Sequence, residues 1–254
     1  MKRVDLNCDL GESFGAYTLG MDAEVIRHIT SANVACGFHA SDPLVMAKTV
    51  ALAKAAGVAV GAHPGYPDLV GFGRRNMAVS PEEAKAMVQY QVGALQAFCT
   101  ANGLRLQHVK PHGAMYNMAA KDRKLADAIC RGVREVDPEL ILMGLSGSCL
   151  LDAAQDVGLR CASEVFADRA YEDDGSLTPR GMEGAVITDE EEAIARVLQM
   201  VEQGTVTARS GKIIPIQADS VCLHGDGEKA VAFARRIREA LSASGVKVIS
   251  LSDK

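Results

Sequence analysis

The feature that most constrains this chain is a rhythm: short apolar runs alternate with amphipathic helical windows from one end of the sequence to the other. The runs are Val4–Cys8, Val34–Phe38, Val58–Ala62, Leu104–Val109, Leu140–Leu145, Cys161–Phe166 and Val221–Leu223, with Val246–Leu251 as a candidate eighth. The helices between them are well punctuated. Ser41-Asp42-Pro43 opens one, with proline in the first turn, and Gly57 stops it. Ser80-Pro81-Glu82-Glu83 is a capping box whose helix ends before Gly103, and Thr188-Asp189-Glu190-Glu191 is a second, running to Gly204. The last helix sets Ala230, Ala234, Ile237 and Leu241 on one stripe and stops at Gly245.

Such alternation, with no break in composition, predicts a parallel sheet covered by helices in one domain spanning residues 1–254. An open doubly wound sheet and a closed barrel both satisfy it, and the strand faces separate them. In the first run Val4, Leu6 and Cys8 oppose Asp5, Asn7 and Asp9. In the second, Val34, Cys36 and Phe38 oppose Asn33, Ala35, Gly37 and His39; in the third, Val58 and Val60 oppose Ala59, Gly61 and His63. A sheet covered on both sides is apolar on both faces. A barrel puts bulky residues outward, against helices, and accepts small or polar groups in its interior near the mouth. The expectation is a TIM-like β/α barrel of seven strands. A chain of 254 residues suits that architecture and buries a large core without covalent staples.

A net charge of −5, with no basic tract or aromatic platform, argues against nucleic acid or an anionic membrane as partner. The seven cysteines are dispersed, and the lack of any Cys-x-x-Cys pair excludes a zinc ribbon or a thioredoxin-type motif. Four fall inside apolar runs, where cysteine acts as a small buried hydrophobe. Reduced cysteines suit the cytoplasm. Residues 1–7 carry charges where a signal peptide has its apolar core, and no apolar run of about 18 residues occurs. A soluble cytoplasmic protein is expected.

The strand exits carry the chemistry. The first exits with Asp9 and Glu12, the second with His39, the third with His63 and the fourth with Lys110 and His112. The sixth exits with Glu164 and then Asp168-Arg169, and the seventh with His224-Gly225-Asp226. Period-two alternation puts Asp5, Asn7, Asp9, His39, His63, Lys110, His112, Glu164 and His224 on the interior face. In a barrel they converge at the top of the lumen, where active sites sit. A single histidine usually has no role; His28, on a helix, is read so, and the deeper His108 is read as a support. Four of six histidines at four strand exits call for more. They and the carboxylates either bind a divalent metal, with Asp9, His39, His63 and His224 as candidate ligands, or act as general acid and base. In the second case Lys110 or Arg169 steadies an oxyanion or a carboxylate. No local spacing such as HExxH decides between them. Nucleotide-binding glycine motifs are missing. Gly144–Ser148 reads as a helix cap, and Arg74 and Arg75 offer guanidiniums from a long segment, Pro64–Ala78. That segment and Ala167–Gly184 exceed the usual ~2–6-residue βα loop and are expected to shape a substrate site.

Seven segments carry a resemblance that spans essentially the whole chain. They are Asp5-Leu-Asn-Cys-Asp-Leu-Gly-Glu12, Asn33-Val-Ala-Cys-Gly-Phe-His-Ala40, Gly61-Ala-His-Pro-Gly-Tyr-Pro-Asp68 and Val109-Lys-Pro-His-Gly-Ala-Met-Tyr-Asn117, then Glu164–Tyr171, Asp174–Arg180 and Cys222–Asp226. In sequence and order they resemble the LamB/YcsF family of 5-oxoprolinase A subunits. The resemblance implies a seven-stranded barrel of glycoside hydrolase/deacetylase type. It also implies one component of an ATP-dependent enzyme that opens 5-oxoproline (pyroglutamate) to glutamate, with ATP as co-substrate and 5-oxoprolinase subunits B and C as partners. A five-membered lactam is an unstrained amide, so coupling its opening to ATP makes chemical sense. In this reading His112 and His39 exchange protons with the lactam and Lys110 stabilises developing negative charge. His63, Glu164, His224 and Asp9 complete the catalytic set. Arg169 or Arg74 grips the substrate carboxylate, with Asn7 and Asp226 as further contacts. Two alternatives stay open: a stand-alone metal-dependent deacetylase or amidohydrolase, and a non-catalytic lactam-binding subunit.

Overall fold

The computed structural model describes residues 2–223 and 228–253. In chain order the elements are β1 (Arg3–Leu10), α1 (Asp22–Val25), β2 (Ser31–Ala35), α2 (Pro43–Ala56), β3 (Ala59–His63), α3 (Pro81–Ala101), β4 (Leu106–Val109), α4 (Gly113–Ala119) and α5 (Arg123–Val136). There follow β5 (Ile141–Leu145), α6 (Cys149–Asp156), β6 (Arg160–Phe166), α7 (Glu190–Leu198), β7 (Thr205–Thr207), β8 (Ile213–Pro215), β9 (Ser220–Leu223), α8 (Glu228–Ala243) and β10 (Lys247–Val248). Strands β1 to β6 lie side by side in sequence order, β9 joins β6, and β9 pairs back onto β1, every pairing parallel. The ring is therefore the closed seven-stranded β/α barrel that the strand faces predict. The eighth run does not enter it. Among the described residues β10 pairs with the start of β1 alone, at Arg3 and Val4, before β9 takes over from Asp5 onward. β7 and β8 form a small antiparallel hairpin outside the ring, which apolar alternation does not reveal because each is only three residues long.

Most helix signals read as written, although Ser148 occupies the N-cap of α6 without a side-chain cap bond. Asp42 caps α2 by accepting from the amides of Leu44 and Val45, and Gly57 ends it in the left-handed region. Ser80 and Glu83 close the capping box of α3 in both directions. α7, by contrast, is capped by Asp189, whose carboxylate accepts from the Glu192 amide, one residue beyond the expected Thr188. A carboxylate is the stronger acceptor for an exposed helix end, and it also faces the positive end of the helix dipole.

Most strand ends shift by a residue or two from the apolar runs, β2 at both ends by about three, and one shift matters for the site. β2 ends at Ala35, earlier than Phe38, because Gly37 turns at φ 94° and its amide bonds to the Ala40 carbonyl. His39 is thus placed by a turn rather than by the pleat of a strand. β4 begins at Leu106 because the Leu104 amide is spent on the Cys99 carbonyl at the end of α3.

Inside the ring the polar residues form stacked tiers. Lowest is Asp5, accepting from Ser31 Oγ (2.6 Å), Thr30 Oγ1 (2.7 Å) and Ser220 Oγ. Above it Asn7 donates to Ser220 Oγ (2.7 Å) and accepts from Asn33 (2.7 Å), while Asn33 Oδ1 lies 2.7 Å from His108 Nε2. His108 fills the lumen so closely that a Cβ at Gly61 would lie 2.1 Å from its Nε2, which is why β3 carries glycine there. Buried polar groups of this kind hold only when each finds a partner. No described helix is long and apolar enough to cross a membrane, and all seven cysteines are free.

Candidate active site

The top tier opens into a cavity of about 640 Å³ at the C-terminal end of the strands. Its floor is built on Lys110, which follows β4 directly and precedes Pro111. The ammonium is buried, ion-paired with Glu164 Oε1 (2.7 Å) and Asp9 Oδ1 (3.0 Å), and donates to Asp9 Oδ1 and to Asn7 Oδ1 (3.3 Å). Burial alone would lower its pKa, but Asp9, Cys222 and Glu164 outweigh that and hold it well above the usual lysine value. Asp9 also accepts from Asn33 Nδ2 (2.8 Å). Burial pushes its carboxyl upward, yet the charges of His63 and Lys110 hold it well below the ordinary range. Glu164, fully buried, accepts a second bond from the Tyr116 hydroxyl (2.7 Å), whose own pKa is raised well above normal by burial and by that carboxylate.

Beside this ion-paired floor stand three histidines and Glu12. His63 Nδ1 lies 2.7 Å from the Lys110 carbonyl and His112 Nε2 lies 2.8 Å from the Phe72 carbonyl. A carbonyl can only accept, so each of these nitrogens carries the proton. The remaining nitrogens, His63 Nε2 and His112 Nδ1, face one another at 2.9 Å. In neutral rings those are two lone pairs aimed at each other, an arrangement that needs a cation between them. Burial, with His63 close by, pushes the His112 pKa down to about 3. His39, wholly buried, stacks on His112 with ring centres 3.7 Å apart and planes 3° from parallel. Burial, then the neighbouring His112 and His63, pushes its pKa well down. Glu12 Oε1 lies 3.4 Å from His39 Nε2 and 3.6 Å from His112 Nδ1, while Asp9 Oδ2 is 3.3 Å from His63 Nε2. One donor atom from each of Glu12, His39, His63 and His112 lies within 4.8 Å of every other, a set able to hold a divalent metal.

Of the residues singled out in the sequence, Asp9, His63, Lys110, His112, Arg74 and Arg169 line the cavity. His39 stands behind them and reaches the cavity through Glu12, and Glu164 and Asn7 reach it through Lys110. His224 and Asp226 lie outside the described residues. Arg169 donates to the carbonyls of Thr178 (2.6 Å) and Ala185 (3.3 Å) and thereby folds its own loop, whereas Arg74 lies over the Phe72 ring at 5.0 Å with no ion pair among the described residues. Arg75 is bound to Asp68. Glu12 and Tyr116 are the residues that sequence reasoning passed over. Glu12 was visible at the exit of β1 without a role; Tyr116 sits in α4, where no period-two argument reaches.

A closed β/α barrel with a charged cavity at the C-terminal ends of its strands is the arrangement barrel enzymes use. Its lineage is specific. The profile of the LamB/YcsF family matches residues 4–254, and the chain belongs to that family. It is 66% identical over 251 residues to a Clostridium beijerinckii protein named as the A subunit of 5-oxoprolinase, covering 99% of this chain and 98% of the relative. It is 56% identical over 254 residues to the Bacillus subtilis protein of the same name, covering 100% of this chain and 99% of the other. The crystal structure of a lactam utilization protein from Thermus thermophilus superposes with a TM-score of 0.93 at 51% identity, over 98% of this chain and 100% of that one.

Proposed function

We propose that this chain is the A component of an ATP-dependent 5-oxoprolinase and takes part directly in opening the lactam of 5-oxoproline to glutamate. The observation that carries the reading is the charged cavity, in a chain that matches relatives named for this activity over nearly their full length. ATP is the co-substrate of the assembled enzyme, and the B and C subunits are its partners.

The chemistry follows from the geometry. Water adds through its oxygen to the lactam carbonyl carbon, the ring C–N bond breaks, and the nitrogen leaves as an amine after taking a proton. Asp9 is the group placed to accept the water's proton and return it to that nitrogen. Its Oδ1 is fixed by Lys110 and Asn33, and its side chain is 24% exposed toward the cavity. Lys110, locked between two carboxylates, keeps Asp9 ionised and adds positive charge beneath the developing oxyanion. The facing nitrogens of His63 and His112, 2.9 Å apart, are where a positive charge opposite Asp9 would help to acidify the water. In this reading proton exchange falls to Asp9, with His112 and His39 as the alternative pair. Arg74, at the mouth, grips the substrate carboxylate, since Arg169 is occupied with its loop. If a divalent metal is bound, Glu12 and the three histidines hold it, and it supplies Lewis acidity.

The test is reconstitution. The purified A, B and C subunits with ATP and 5-oxoproline should yield glutamate, and omitting this chain should abolish it. Undiminished turnover in Asp9→Asn and Lys110→Met would remove both residues from the mechanism.

A further inference from the structure

We propose that Glu12, His39, His63 and His112 form a binding site for one first-row divalent metal ion of zinc type. The inference rests on the lactam-opening reading of this cavity and names the cation it needs.

A proton between His63 Nε2 and His112 Nδ1 would relieve that one contact and nothing more, because a proton joins two acceptors. Here more converges. His39 is fully buried, and among the described residues neither of its ring nitrogens has a hydrogen-bond partner. Its Nε2 lies 3.4 Å from the same carboxylate oxygen, Glu12 Oε1, that lies 3.6 Å from His112 Nδ1. Bonds of about 2.0–2.1 Å to a tetrahedral ion place neighbouring donors about 3.3 Å apart. Three of the six separations are 2.9 Å (His63 to His112), 3.4 Å (His39 to Glu12) and 3.6 Å (His112 to Glu12), near that edge length, and all six lie within 4.8 Å. Two of the histidines also have the outer partner that metal-binding imidazoles require: the far nitrogen of His63 donates to the Lys110 carbonyl and that of His112 to the Phe72 carbonyl. Those bonds fix the tautomer that turns each free lone pair inward. Three imidazoles and one carboxylate form a nitrogen-rich set, which suits zinc-type ions rather than magnesium or calcium. The set differs from the one suggested by the strand exits: Glu12 and His112 take the places of Asp9 and His224. Asp9 remains alongside, with Oδ2 3.3 Å from His63 Nε2.

The experiment uses the full chain purified without a histidine tag, stripped with chelator and titrated with zinc or cobalt(II). One ion per chain by elemental analysis is expected, together with visible absorption of four- or five-coordinate cobalt and a rise in melting temperature. His112→Ala and Glu12→Gln should each weaken binding more than about 100-fold, beyond the ~10–100-fold loss that follows removal of an outer partner. Lys121→Ala, at the cavity mouth, should bind like the unmodified protein. Should the variants fail to fold, X-ray absorption on the zinc-loaded unmodified chain decides, with about three imidazole ligands expected. Stripped protein that binds neither ion, while the assembled enzyme still opens 5-oxoproline, overturns the metal site and leaves the function standing. Stoichiometric metal in an assembled enzyme that does not open the lactam keeps the site and sinks the functional reading.

Discussion

Lys110 shows how closely the residues of this site depend on one another. Removing its charge leaves Glu164 fully buried without its cation, and breaking one side of a buried pair costs about 3–5 kcal/mol. Lys110→Met should therefore lose both turnover and stability by denaturant unfolding. Adding Glu164→Gln should restore most of the stability but none of the turnover, which separates the two effects. His108 gives a pH prediction. Burial, then the charge of Lys110, lowers its pKa from 6.5 to about 3, so the folded chain leaves it neutral where the unfolded chain protonates it. The unfolded state then binds more protons, and stability falls as pH drops below about 6.5 toward 3. Asp9, with its pKa depressed, adds stability that is complete above about pH 4 and fades at lower pH. Melting temperature against pH should show the upper part of this decline flattened in His108→Asn, measured relative to that variant's own plateau.

Among the elements, the loops show what sequence patterns can and cannot deliver. Asp42, Ser80 and Gly57 announce helix ends through local chemistry alone, and the strand faces announce the barrel through period two, so both were legible. The convergence of His39, His63 and His112 was legible from the strand exits too, whereas Glu12's part in it and the turn at Gly37 that delivers His39 were not. No pairwise spacing encodes that meeting. Local rules give measurable consequences of their own. Ser80→Ala should cost about 1 kcal/mol by removing the cap of α3. Gly61→Ala should cost about 1–3 kcal/mol, since its methyl group would overlap the buried His108 ring. Arg169→Ala should leave the barrel folded and make residues 167–185 the first site cut in limited proteolysis, because the carbonyls of Thr178 and Ala185 lose their donor.

For the whole molecule, the decisive contact is the ring closure between β1 and β9, sealed by Asp5 and Asn7 on Ser220 across 215 and 213 residues of chain. Contacts of such long range make a barrel slow to complete. Ser220→Ala should slow refolding in stopped-flow experiments more than an equally buried substitution between adjacent strands, such as Val34→Ala. The seam also has a meaning for the newborn chain. Translation at roughly 5–20 residues per second delivers β9 about 10–40 s after β1, and in that interval β1 and later β6 are open edges that could recruit strands from other copies. Each edge carries inward-pointing acidic groups, Asp5 and Asp9 on β1 and Glu164 on β6, and such charges discourage pairing with strangers. The carboxylates that later hold Lys110 in place would first serve as guards against aggregation on the ribosome.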